Sequence, residues 1–377
     1  MPDVPTAARD TALTPPVAVN VVTDEQAVAA VDLAVEDRER LQTRAATFVA
    51  ELMALETRSP AFAHQVASLT SMGEQDMRAA AALSGRVIIR PATGIATSGG
   101  GDAQAKVATT LARLREIVRH LEPSRAHLSG VRKVLARFSG SDAMGDYFGR
   151  YRSSQAELNT VITALATGQD DLRRDNAAID SEKTTMWSTL TRLSEYHELA
   201  SALDERLAAV VGDLEAAGRV EDATTVRSEA VTALRQRRQD LTTQQAITLH
   251  GFLALDLVRR TNLDLIRGVD RAQRTTIVAL RTAMSVSRAL QQQELVLDRI
   301  AGLDAATTAL AESGGGTAAT SEADVAALQQ AFDDVFTSID DLSSFQDGAR
   351  AAMETTRGAL QGHSPEVTRA TGNHGSR

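Results

Sequence analysis

No proline occurs between Pro123 and Pro365. A proline inside a helix removes a backbone hydrogen bond and clashes with the preceding turn, at a cost of about 3 kcal/mol. The interval therefore permits helices of unusual length, and the hydrophobic period gives positive evidence for them. Leu158, Leu165, Leu172, Ile179, Met186, Leu193, Ala200, Leu207 and Leu214 follow one another at a spacing of seven without a slip. A companion position is filled by Ile162 and Leu190, then moves back one residue to Tyr196, Leu203 and Val210. Two apolar positions per heptad, sustained over this length, mark a helix that buries one stripe against a neighbour. The pattern predicts one helix from Asp142 to Ala216, with Gly218 placed to cap its C-terminus.

A shorter helical stretch, Glu221 to Leu241, and a second long element, Thr242 to Glu312, are expected next. In the latter Leu255, Val269, Ala283, Leu290 and Leu297 share one heptad phase, with Ile266 and Leu280 beside it. Antiparallel packing of the long elements buries both stripes. Upstream, helices are expected over Asp24–Thr57, where Val31, Leu41, Phe48, Leu52 and Leu55 recur at helical intervals, and over Pro60–Leu83 behind the N-cap candidate Ser59. A third is expected over Ala103–Leu121. Val87–Arg90 and Thr97–Gly101 read as linker. The predicted fold is all-α: an elongated antiparallel bundle of long, coiled-coil-like helices with shorter N-terminal helices. Its expected divisions are a disordered lead-in (1–23), an N-terminal helical region and linker (24–101), a long-helix core (102–312), a Gly-rich linker (313–321), a C-terminal helix (322–361) and a disordered tail (362–377).

Composition agrees with helices. Apolar residues make up 43% but aromatics only 3%, so Ala, Leu, Val and Ile must form the core. The net charge of −9 argues against nucleic-acid binding, which needs a basic footprint. The chain has no cysteine, which excludes thiolate catalysis, disulfides and Cys-ligated metal or iron–sulfur centres, and suits a reducing cytoplasm. No secretory leader and no membrane-spanning run is recognisable. Leu241–Leu255 is charge-poor but interrupted by Thr, Gln and His250.

Two groups of residues stand out. Companion positions in the middle of the first seam hold Gln169, Asn176 and Lys183, with Asp175 and Glu182 adjacent. Such a polar layer sets register or lines a small cavity. The window Ala233–Ala301 holds eleven arginines (235, 237, 238, 259, 260, 267, 271, 274, 281, 288 and 299) against six acids. Of these, Arg235, Arg237, Arg238, Arg267, Arg271, Arg274 and Arg281 are the candidates for contact with an anion, an anionic membrane surface or an acidic partner. The plainer reading is a solvated face paired to carboxylates of a neighbouring helix. Glu116 and His120 stand four apart but have no further ligand near in sequence. Asp333, Asp334, Asp340 and Asp341 lack the spacing and glycine of a calcium loop and read as a solvated face. No phosphate-binding loop, dinucleotide fingerprint or nucleophile elbow is present.

Several ordered segments resemble the TelA/KlaA family of toxic-anion resistance proteins. They are Met72-Gly73-Glu74, Leu121-Glu122-Pro123, Leu128-Ser129-Gly130, Asp171 to Ala177, Arg235 to Leu241, Ala254-Leu255-Asp256 and Thr276 to Ala283. The resemblance covers roughly Ser68 to Leu310. It implies a cytoplasmic or membrane-peripheral helical protein linked to tellurite resistance and envelope stress, with Ter-type tellurium-resistance proteins among its plausible partners. It supplies no catalytic residues and no cofactor. Without a thiolate the chain has no route to direct tellurite reduction by sulfur. The expected role is therefore non-catalytic: a scaffold or adaptor in a stress-response complex, with an anion-binding protein or a peripheral membrane binder as the alternatives.

Overall fold

A computed structural model describes residues 13–89, 103–122, 142–301 and 315–372. Every long element among them is helical and no strand occurs. In chain order these are α1 (Asp24–Ala29), α2 (Val35–Met53), α3 (Pro60–Thr70), α4 (Glu74–Ile89), α5 (Ala103–Leu121), α6 (Asp142–Ala216), α7 (Val220–Thr225), α8 (Thr232–Ala301) and α9 (Gly315–Gly372). A π-helical stretch, Val226–Val231, joins α7 to α8.

The heptad seam has the outcome its spacing implies. All nine residues from Leu158 to Leu214 are buried, seven of them at 0% exposure. The helix carrying them has the predicted bounds, and Gly218 closes it at φ 76° while Arg219 N–H donates to Leu214 O at 2.8 Å. Leu255, Val269, Leu280 and Ala283 are buried on α8, whereas the side chains of Leu290 and Leu297 lie outside those described. Ser59 caps α3 by accepting from Phe62 N–H at 3.1 Å, with Pro60 in the first turn.

Several boundaries differ. Asp24–Thr57 holds two helices, because the chain leaves α1 after Ala29, turns Leu33 into the core and re-enters a helix at Val35. The helix expected over Pro60–Leu83 is broken at Gly73, whose φ of 70° ends the right-handed path. Val87–Ile89 completes α4 instead of opening a linker. No break separates Leu241 from Thr242; both lie inside α8, since the polar residues that suggested one are buried among other helices. The Gly-rich linker and the tail are helical from Gly315 and through Gly372; a helical glycine costs only about 1 kcal/mol and is tolerated beside the alanines that follow. Residues 13–23 of the supposed lead-in are not free either. Leu13 and Pro15 lie against Gly268 and Gly348, where a Cβ would come within 2.8 Å and 2.6 Å of them, and Val22 is buried. The remaining predicted loop and tail residues, 1–12, 90–102, 302–314 and 373–377, fall outside the described ones, as do Leu128-Ser129-Gly130 and Pro123.

The chain divides into two compact units, and neither follows the linear divisions expected. One comprises Met1–Pro15, Thr93–Arg174 and Thr261–Ala349; the other comprises Pro16–Ala92, Asp175–Arg260 and Arg350–Arg377. The single 102–312 core is thus cut, because α6 and α8 each contribute to both units.

In the first unit α6 and α8 run antiparallel: Gln169 donates to Ile266 O at 2.9 Å and Gln273 to Ile162 O at 3.2 Å. Gly168 brings α5 close, since a Cβ there would lie 2.7 Å from Val107. Leu328, Phe332, Val335, Ile339, Leu342 and Phe345 form the buried stripe of α9. In the second unit a core of Leu41, Val49, Leu52, Phe62, Val66 and Leu69 meets Leu199, Leu203, Leu207, Val226 and Leu234. Smaller clusters join Met77 and Ala80 to Leu193 and Leu241, and Val22 and Ala27 to Leu190, Ala246 and Leu249.

Candidate functional site

The arginines at the start of α8 lie in the second unit, beside the turn between α3 and α4. Gly73 makes that turn in the left-handed region, and Met77 N–H donates to its carbonyl at 2.9 Å to open α4. Tyr196 packs on the bare glycine: a Cβ at position 73 would lie 2.7 Å from its ring. The Tyr196 hydroxyl donates to Asp76 Oδ2 at 3.2 Å, and Arg192 Nε donates to Asp76 Oδ1 at 2.6 Å. Burial first, and then the bond to Asp76 and its negative charge, push the Tyr196 phenol above its ordinary value.

Arg237 completes this cluster. Its Nε donates to Met72 O at 2.8 Å, and the residue is only 8% exposed. Burial lowers its pKa, with the charges of Asp240 and Glu74 opposing that shift. Its Nη2 is buried without a hydrogen-bond partner among the described residues. A carbonyl at a helix end is a natural acceptor for such a guanidinium, so Arg237 fastens the turn and is not open to a ligand.

Arg235 and Arg238 converge on one carboxylate. Arg235 Nε lies 2.8 Å from Asp204 Oδ1 and Arg238 Nη1 lies 3.1 Å from Asp204 Oδ2, with Asp204 itself buried. Both carboxylate oxygens are thereby taken, and the single negative charge of Asp204 balances one of the two guanidinium charges. Burial, followed by the nearby Arg238 charge, lowers the pKa of His197.

The polar layer of α6 is also paired. Asp175 and Asn176 are buried, and Asn176 Nδ2 donates to Arg259 O at 3.4 Å. Lys183 bonds Asp256, which also accepts from Arg260 at 2.7 Å, and the Lys183 ammonium stands 4.7 Å from the centre of the Phe252 ring. Trp187, the chain's one tryptophan, leans on that ring at 5.3 Å and is 42% exposed. Burial pushes the Asp256 carboxyl up, but the bond to Lys183 and the charges of Lys183 and Arg260 outweigh it and hold the carboxyl below the usual range. Glu182 meets Arg86 at 3.5 Å and Arg259 meets Asp180 at 2.7 Å. These pairs tie α6 to α8 and to α4.

Arg267, Arg271, Arg274 and Arg281 belong to the other unit. Arg267 and Arg274 pair along their own helix with Asp264 and with Asp270, the latter at 2.6 Å. Arg271 is half-buried, and Arg281 is exposed. The metal suggestion at Glu116 and His120 resolves differently: His120 Nδ1 lies 3.0 Å from the backbone carbonyl of Glu116. Among the described residues no group of three acids or histidines comes together as a metal site would require.

One polar group escaped the sequence reading. Gln244, Gln245, Thr248 and His250 are each at most 2% exposed. Gln245 donates to Ser194 Oγ at 3.0 Å, Thr248 to Gln244 O at 2.7 Å, and His250 Nε2 to Thr356 O at 3.2 Å. The signal was present as the charge-poor run from Leu241 to Leu255, whose amides and hydroxyls bond within a helical core.

A model of the toxic anion resistance protein (TelA) family matches residues 59–370. The chain belongs to that family. No curated protein and no solved structure matches it. In this TelA chain two of the ordered segments meet in space, since Arg237 of the Arg235–Leu241 segment holds the carbonyl of Met72 in Met72-Gly73-Glu74. Among the described residues of the TelA chain, no helix is long and apolar enough to cross a membrane.

Proposed function

We propose that this TelA protein contributes to toxic-anion resistance without catalysis, as a helical scaffold or adaptor within a cytoplasmic stress-response complex. Protein partners, Ter-type proteins among them, are its expected ligands. The observation that supports this reading is how the arginines of α8 are used. Arg235 and Arg238 share Asp204, Arg259 takes Asp180, Arg260 takes Asp256 and Arg237 takes a backbone carbonyl. An anion entering at Arg235 and Arg238 would have to compete with the Asp204 carboxylate they share, which weighs against the anion-binding alternative at that end of α8. The absence of thiols in the sequence removes sulfur-based reduction in the same way.

Calorimetric titration of the purified chain with tellurite, phosphate and ATP separates the readings. The scaffold reading expects no stoichiometric heat, together with crosslinking of a defined partner in tellurite-treated cells. Stoichiometric binding of tellurite that Arg235→Ala and Arg238→Ala abolish would overturn it.

A further inference from the structure

In the first unit, α8 presents an ordered stripe to solvent. Arg267, Arg274 and Arg281 are spaced by seven and exposed, the first two at 72% and 70% of their side chains. Two heptads of a straight helix drift by only about 40°, so the three guanidinium groups share one face along roughly 21 Å of helix. Leu263, Ile277 and Val278 emerge on the same face, with Val278 at 58% exposure. The opposite face is core, with Leu265, Val269, Ala272, Thr276 and Ala279 buried. The carboxylates bonded to Arg267 and Arg274 lie three and four residues before them on the same helix. Such exposed intrahelical pairs are weak and exchange readily.

A complement of matching period lies on α9 of the same unit. Between residues 326 and 349 α9 carries five aspartates and no basic residue, whereas residues 261–286 of α8 carry four arginines against two aspartates. Asp340 is turned to Arg115, 2.5 Å away. Asp333 and Asp334 are exposed, and Asp341, seven residues after Asp334, is half-exposed.

We infer that a second copy of this chain docks on the Arg267–Arg274–Arg281 stripe of α8, presenting the Asp333, Asp334 and Asp341 face of its α9. Leu263, Ile277 and Val278 supply the apolar contact between the arginines. Asp334 and Asp341 repeat the heptad spacing of the arginines, with Asp333 beside them, so successive guanidinium and carboxylate groups can meet side by side, and Arg forks suit carboxylates. An anionic membrane fits the charge but not the pattern, since aromatic anchors are missing from this face and every exposed apolar group on it is aliphatic. Self-association of this kind stands apart from the resistance role and does not depend on it.

Sedimentation velocity of the full chain tests the assignment. Wild type is expected to sediment as a dimer at micromolar concentration in 50 mM salt and to shift toward monomer by 0.5 M salt, conditions set to span strong and weak screening. The triple variants Arg267→Glu/Arg274→Glu/Arg281→Glu and Asp333→Arg/Asp334→Arg/Asp341→Arg are each expected to be monomeric with undiminished helical ellipticity. An equimolar mixture of the two is expected to regain the dimer, because reversed charges then face each other. A wild type that stays monomeric, a dimer indifferent to both salt and charge reversal, or a mixture that fails to associate overturns the inference. A monomer that instead sediments with phosphatidylglycerol vesicles overturns it too, and assigns the stripe to a membrane surface.

Discussion

Gly73 and Gly218 both lie at positive φ, at 70° and 76°, but in opposite surroundings. A Cβ at position 218 meets nothing within 4 Å, whereas one at position 73 would stand 2.7 Å, 3.0 Å and 3.1 Å from Cδ2, Cγ and Cε2 of Tyr196. The Tyr196 ring cannot simply swing away, because its hydroxyl is bonded to Asp76 and Asp76 to Arg192. Gly218→Ala should therefore cost only the left-handed strain of a non-glycine residue, about 1–2 kcal/mol. Gly73→Ala should add overpacking of roughly 1–3 kcal/mol to the same strain, for a total of about 2–5 kcal/mol. Trp187 is the sole tryptophan and shares a compact unit with both glycines, so its emission during urea unfolding reports the relevant transition. With a slope of about 2 kcal/mol per molar urea, Gly73→Ala should lower the midpoint by roughly 1–2.5 M, against roughly 0.5–1 M for Gly218→Ala. Equal midpoints for the two variants would show that the Tyr196 contact does not restrain this turn, and the account of Arg237 as its fastener would weaken with it.

Asp204→Asn removes the carboxylate shared by Arg235 and Arg238; with those side chains 57% and 35% exposed, solvent screening limits the loss to about 1–2 kcal/mol, measured as a urea midpoint shift that shrinks at high salt. For His197 the folded pKa is lowered by burial and by Arg238, so protonation favours the unfolded chain. Its contribution is intact at neutral pH and is lost as pH falls through about 6.5. His197→Gln should flatten the stability profile between about pH 7 and pH 5; an unchanged slope would refute the assignment. Asp256 has linkage of the same sign in a more acidic window, contributing stability above the unfolded value near 3.9 that disappears as pH falls through its lowered folded value. Lys183→Met should weaken that acid limb and, by removing the cation over Phe252, alter Trp187 emission.

The helical class and the bounds of α6 were readable because burial and spacing are local and repetitive. Each of the nine heptad positions from Leu158 to Leu214 marks the same face, and Gly218 ends the helix through its own backbone freedom. The joints at Gly73 and Val226–Val231 were harder to read. A single glycine within a helical pattern is tolerated as often as it breaks one, and here the decision came from Tyr196, far along the chain, occupying the space that a side chain would fill. Leu13 and Pro15 raise the same difficulty: a Pro-rich lead-in has the composition of a disordered segment, and only Gly268 and Gly348 make room for it to settle.

Charge was least legible, because net sign along a sequence does not say which cations remain available. Eleven arginines in one window read as a basic face, yet those near the start of α8 are taken up by Asp204 and a carbonyl from the α3–α4 turn, partners far from them in sequence. Asp204 gives no hint of this, as it sits among residues of the apolar seam. Further along the same helix, Arg267 and Arg274 pair with carboxylates of their own helix, where the pairing is exposed and weak. One compositional run thus serves two physical ends: buried or shared arginines hold the fold, and heptad-spaced exposed ones remain exchangeable. If partner binding uses charge in this protein, charge reversal at Arg274 should impair association while leaving the unfolding free energy within about 0.5 kcal/mol of wild type. Reversal at Arg237 should do the opposite, unfolding the turn before any partner is reached.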